Sequence, residues 1–86
     1  MRNQADLEAI HRQSFKNREL LQQSERAGCF YCQTTFSASE VRNWVHEKDG
    51  GATALCPRCG IDAVLPETGP NTLTNALLAE MHERWF

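Results

Sequence analysis

Four cysteines carry the chemistry of this chain, and they fall in two tight pairs: Cys29-Phe30-Tyr31-Cys32 and Cys56-Pro57-Arg58-Cys59. Two residues between the thiols let both sulfurs of a pair reach one ion, and a tetrahedral all-thiolate site needs two such pairs. The spacer from Gln33 to Leu55 is 23 residues long. Zinc patterns of this kind usually place about 15–20 residues there, so the surplus must be taken up by structure of its own. Pro57 pre-sets the second turn, and Gly60, directly after the last cysteine, allows the left-handed backbone that turns N–H groups toward sulfur. The expectation is one structural Zn2+ held by Cys29, Cys32, Cys56 and Cys59. Four thiolates close a tetrahedral ion and leave no position for water or substrate, so chemistry at the metal is not expected.

Other residues with chemical capacity give weaker patterns. His11, His46 and His82 are candidate general bases, and each also reads as an ordinary surface or helix-face histidine. Nucleases of the His-Asn-His type carry paired C-x-x-C units and need a second His or Asn after the second pair. Val45-His46-Glu47 offers one histidine here, but residues 60–66 offer neither. No catalytic residue is therefore assigned. Arg58, at the tip of the second pair, should face solvent, as a partner contact or as a solubilising charge. Trp85-Phe86 reads as a lid packed on the metal module, with an exposed anchor for an oligomer or partner interface as the alternative.

The chain of 86 residues is long enough for one small domain, of a size that often needs a staple. Structural zinc supplies on the order of 10 kcal/mol to small fingers, coupled to folding. The formal charge is −2. Four thiolates and one divalent cation would lower it to about −4. No basic stripe is visible, so the electrostatic footprint of nucleic-acid binding is missing. The polar start Met1-Arg2-Asn3-Gln4 is not a secretory leader, and no apolar run could span a bilayer. Those features point to a cytoplasmic protein, where paired cysteines favour metal over disulfides.

The elements that position the cysteines follow from pattern. Residues 4–26 lack Pro and Gly and read as one helix, capped by Asn3 and stopped at Gly28. Its apolar stripe of Leu7, Ile10 and Leu21 is thin and is interrupted by Ser14 and Asn17. It must therefore lie on the metal module, on a second chain or on a partner. Ser37-Ala38-Ser39-Glu40 is a capping box, and a short helix over Ala38–His46 would account for the long spacer. Asp49-Gly50-Gly51 turns the chain, Ala52–Leu55 reads as a strand, and Ile61–Leu65 as a strand or a single helical turn. Pro66–Pro70 is a loop. Asn71 or Thr72 should cap a last helix whose buried face is Leu73, Leu77, Met81 and Trp85.

The fold expected is α+β: a four-cysteine zinc-ribbon or treble-clef-like module with an inserted short helix, flanked by N- and C-terminal helices. Residues 1–28 form the N-terminal segment, 29–65 the zinc module, and 66–86 the loop and C-terminal helix, as one compact domain. The core should comprise Phe30, Phe36, Val41, Trp44, Leu55, Ile61, Leu77, Met81 and Trp85.

The stretches Gly28-Cys29-Phe30-Tyr31-Cys32 and Thr53-Ala54-Leu55-Cys56-Pro57-Arg58-Cys59-Gly60-Ile61-Asp62 resemble a family of small uncharacterised bacterial cytoplasmic zinc-binding proteins. Its members share a G-C-F-Y-C knuckle, a Trp-hydrophobic pair, a T-A-L-C-P-x-C-G-I-D knuckle and a terminal W-F. Trp44-Val45 and Trp85-Phe86 stand at the matching places, and His11, Ser14, Asn17-Arg18 and Ser24 extend the likeness over nearly the whole chain. The chain departs from the family between Val45 and Ala52, so His46 is not a family feature. The resemblance implies zinc and fold and supplies no activity. Three function classes remain: a non-enzymatic module that docks on another protein; a nucleic-acid-binding regulator using Arg12, Lys16, Arg18, Arg42 and Arg58; and a degenerate nuclease with a site at His11 or His46. The first is favoured by the closed metal site and the acidic balance. The sequence sets no oligomeric state.

Overall fold

The N-terminal segment is not one helix. The structure, a computed structural model describing residues 3–68 and 72–86, breaks it into α1 (Gln4–His11), a 3-10 turn (Arg12–Ser14) and α2 (Arg18–Gln22). Asn3 caps α1 as its composition implies, its Oδ1 accepting from Asp6 N at 2.8 Å. The break has a local and a distant cause. Ser14 Oγ turns back to the His11 carbonyl at 2.7 Å, and Lys16 takes a left-handed backbone with φ of 50°. Asn17 is then fully buried and bonds two strands of the module. The two residues that interrupt the apolar stripe are thus the ones that stop the helix. Gly28 is not a helix stop either. It lies in β1, where a Cβ would come within 3.3 Å of both the Leu73 side chain and the Thr34 carbonyl.

Five short strands form two antiparallel sheets. Strand β1 (Arg26–Cys29) is central between β2 (Thr34–Ser37) and β5 (Val64–Pro66). The register pairs Cys29 with Thr34 on one side and Val64 on the other. The second sheet is the hairpin β3 (Trp44–His46) and β4 (Ala52–Ala54), with Trp44 opposite Ala54.

The inserted helix over Ala38–His46 is absent. The capping box does form, with Ser37 N donating to the Glu40 carboxylate at 2.9 Å, but it starts only a 3-10 turn (Ala38–Glu40). Val41 is already extended, and the β-branched and aromatic residues Trp44 and Val45 pair as strand. The long spacer is therefore filled by a 3-10 turn and a hairpin. Gly50 and Gly51, at φ of 100° and 83°, make the hairpin turn that no side-chain-bearing pair would adopt readily.

The last helix, α3 (Asn75–Trp85), is capped by Thr74, whose side chain accepts from Leu77 N. Thr72 is therefore not the cap, and Asn71 lies outside the described residues. Leu73, Leu77, Leu78 and Met81 are buried against the three-stranded sheet, in one cluster with Ile10, Leu21, Phe30, Phe36, Val41 and Val64. Trp44, Leu55, Ile61 and Trp85, expected in the core, are only half-buried. Among the described residues no helix is long and apolar enough to cross a membrane.

Candidate metal centre

Both cysteine pairs sit on tight turns between strands. Cys29 ends β1 and Cys32 lies in the turn to β2; Cys56 and Cys59 lie in the turn between β4 and β5. The turns are alike in detail. Tyr31 N points at Cys29 Sγ at 3.4 Å, and Arg58 N points at Cys56 Sγ at 3.3 Å. The residue following each pair is left-handed: Gln33 at φ of 59° and Gly60 at 81°. The role expected of Gly60 is met, and Gln33 performs it without glycine's freedom, at a backbone cost of about 1–2 kcal/mol. The two turns are tied together by Phe30 N donating to the Ala63 carbonyl at 3.0 Å, and the second is closed on itself by Cys56 N donating to the Ile61 carbonyl at 2.9 Å.

The four sulfurs converge. All lie within 4.8 Å of one another. Cys29 Sγ is 3.7 Å from Cys59 Sγ, and Cys32 Sγ is 3.7 Å from Cys56 Sγ. Four sulfurs placed tetrahedrally at about 2.3 Å from a central ion stand about 3.8 Å apart. These two separations match a tetrahedral thiolate cage and are far beyond a disulfide bond of about 2.05 Å. All four cysteines are free.

The cage is asymmetric. Cys29 and Cys56 are buried, whereas Cys32 and Cys59 reach the surface. Burial pushes the Cys29 thiol well up, against the opposing pull of the N–H groups of Cys32 and Tyr31. Burial also raises Cys59, over the opposing hydrogen bond from Ile61. At Cys32 burial is outweighed by hydrogen bonds from the Thr34 hydroxyl, 3.1 Å away, and from the neighbouring thiols, so its thiol is lowered. A divalent cation binds the thiolate form and displaces the thiol proton, so four converging thiols are a donor set that fits a thiophilic metal.

The surrounding elements hold the cage in place. Asn17 Nδ2 donates to the Val64 carbonyl at 2.8 Å, and its Oδ1 accepts from Ala54 N at 3.0 Å. One side chain thereby joins β4 to β5, the strands on either side of the second pair. Lys16 N donates to Thr53 Oγ1, whose hydroxyl donates to Glu47, each at 2.9 Å. On the other side, His82 Nδ1 lies 3.1 Å from the Phe30 carbonyl. A carbonyl only accepts, so Nδ1 carries the proton there. The sequence marks Asn17 as a flaw in a helix and as part of the family likeness, and neither reading shows the two tethers; a polar residue breaking an apolar stripe was the available signal.

The three histidines do not come together on one reaction centre. His11 stacks on Trp85 with ring centroids 4.1 Å apart, His82 tethers the first pair, and His46 is exposed on β3. Burial lowers the basicity of His11, helped by Arg84 and opposed by Asp62. Ser14 lies near His11, but its hydroxyl is committed to the His11 carbonyl rather than the imidazole. Arg58 is exposed and bonds Glu40 at 2.8 Å. Trp85 does pack against the module, edge-on to Phe30, whereas Phe86 is 58% exposed.

Comparison with models of known protein families, with curated proteins and with solved structures finds nothing that matches this chain. The likeness to the small bacterial zinc-binding proteins rests on the motifs alone.

Proposed function

We propose that the chain is a non-enzymatic, zinc-stapled interaction module: one Zn2+ held by Cys29, Cys32, Cys56 and Cys59 fixes two turns, and the surface so held recognises another protein. The observation that carries this reading is the convergence of four free sulfurs within 4.8 Å of one another. Four thiolates leave no exchangeable position, so the ion's role is folding, not catalysis. The ribbon form is favoured over the treble clef, because both pairs lie between strands and no helix begins at the second one.

The nucleic-acid reading has less support. Of its five cations, Lys16 pairs with Asp49 at 2.6 Å, Arg58 with Glu40, and Arg18 lies over the Trp44 ring. The nuclease reading has His46 on a hairpin but no histidine or asparagine in residues 60–66 to complete it. Crosslinking of the zinc-loaded protein in its native lysate tests the proposal. It should recover one defined protein, and recovery should be lost in Cys56→Ser and on chelation. Failure to recover any protein with stoichiometric zinc in place, or recovery indifferent to chelation, contradicts it.

A further inference from the structure

A cleft of about 360 Å³ opens between α1, the segment after the second cysteine pair and the end of α3. His11, Phe15, Phe30, Asp62, Trp85 and Phe86 line it. Two of its aromatic walls are open to solvent, Phe15 at 55% and Phe86 at 58% exposed, whereas Phe30 is buried and Trp85 half-buried. Asp62 is exposed, and among the described residues it has no ion-pair partner. Aromatic faces attract cations through the ring quadrupole, and this chain already uses that attraction. Lys16 lies 5.3 Å from the Phe15 centroid, Arg18 5.4 Å from that of Trp44, and Arg84 5.0 Å from that of Trp85. Lys16 is at the same time held by Asp49, and among the described residues Arg84, held on Trp85, makes no ion pair. Asp62 therefore has no direct ion-pair partner, although both it and Arg84 act on His11.

A zinc ion held by four thiolates would carry a net charge of about −2, and Cys59, a partly exposed member of that set, precedes Asp62 by three residues. The volume is at the lower end of ligand pockets, which run from about 300 to 1,000 Å³, so it suits one side chain better than a cofactor.

We propose that this cleft is the docking site of the interaction module and that it takes an arginine side chain presented by a partner polypeptide, the guanidinium stacking on the exposed rings and bonding the Asp62 carboxylate. Arginine fits better than lysine because its planar fork matches a carboxylate and stacks on aromatic faces. The inference rests on the zinc-module reading given above.

The test uses the full, zinc-loaded chain and two capped peptides, Gly-Arg-Gly and the same peptide with citrulline, a neutral arginine of the same shape. Nitrogen-15 NMR follows both titrations. The arginine peptide should shift Phe15, Asp62 and the Trp85 indole saturably, and citrulline should bind about tenfold or more weakly, as loss of a charge-assisted bond requires. Asp62→Asn should bring the arginine peptide down to the citrulline level with zinc content unchanged. Equal binding of the two peptides, binding by neither, shifts confined to other surfaces, or an Asp62→Asn variant that binds as before would each overturn the docking site. In every one of these results an unchanged zinc content leaves the module reading standing, whereas a protein that holds no zinc takes that reading down first.

Discussion

Replacing Asn17 by alanine should destabilise this domain more than any other single polar change outside the cysteines. Asn17 is 0% exposed, as are both groups it serves, Ala54 and Val64. Its loss leaves one buried N–H and one buried carbonyl without a partner. Each such group costs about 1–3 kcal/mol, so the two together cost roughly 2–6 kcal/mol. A domain of this size holds only about 5–15 kcal/mol in all. The thermal midpoint should fall by at least about 8 °C, since each kcal/mol moves it about 4–8 °C at this length. Urea and thermal melts of zinc-loaded protein, at fixed excess zinc because bound metal shifts apparent stability by mass action, provide the measurement. Asn17→Asp sharpens it. Aspartate keeps an acceptor for Ala54 N but sets an anion against the Val64 carbonyl, so it should be no better than alanine. Leu20→Ala, at a position 38% exposed, is the control and should stay within about 1 kcal/mol. The reasoning fails if Asn17→Ala lies within about 0.5 kcal/mol of wild type, or if the aspartate variant is the more stable of the two.

The paired turns around the cysteines give a second test. Gly60 has φ of 81° with no atom within 4 Å of a built Cβ, so Gly60→Ala adds backbone strain without a clash and should cost about 1–2 kcal/mol. Gln33, at φ of 59°, is the converse. Gln33→Gly should be neutral to stabilising by up to about 1 kcal/mol, and equal losses at both sites in urea melts would deny that the turns are equivalent. His11 supplies a pH prediction. Its basicity is lowered in the folded protein, chiefly by burial, so the unfolded chain binds the proton more readily. That contribution is fully present above the unfolded value of about 6.5 and is lost as pH falls through the lower folded value. His11→Phe, which keeps a ring on Trp85, should therefore lose less stability than wild type between pH ~7 and ~5.5, and parallel pH profiles would contradict the shift. Chelation should abolish cooperative unfolding, because metal binding and folding of such modules are one equilibrium; a chelated protein with an unchanged melt would show that the cage does not staple the fold.

What could be read from the sequence was what is local. The C-x-x-C turns, the Asn3 cap, the capping box, the β4 strand and the Leu73–Leu77–Met81 face depend on residues a few positions apart. What escaped reading depends on distant partners. The helix break at residues 15–17 is set by bonds from Lys16 and Asn17 to Thr53, Ala54 and Val64, 37 to 47 positions away. Composition alone favoured a continuous helix there, and tertiary hydrogen bonds overrode it. The capping box marks the first turn of a helix but says nothing of its length, so a 3-10 turn was taken for a helix. Trp44 and Val45 then fit either period, and only pairing with Thr53 and Ala54 decides for strand. Gly28 looked like a helix terminator because its true constraint, Leu73 pressing on β1, comes from the far end of the chain.

The account stands on four thiolates closing around one ion. X-ray absorption at the zinc edge of the purified protein measures that directly. A single shell of four sulfurs at about 2.3 Å, with one zinc per chain, is the result predicted. A shell containing nitrogen or oxygen, or fewer than four sulfurs, would mean an open or differently built site and would contradict the closed structural centre.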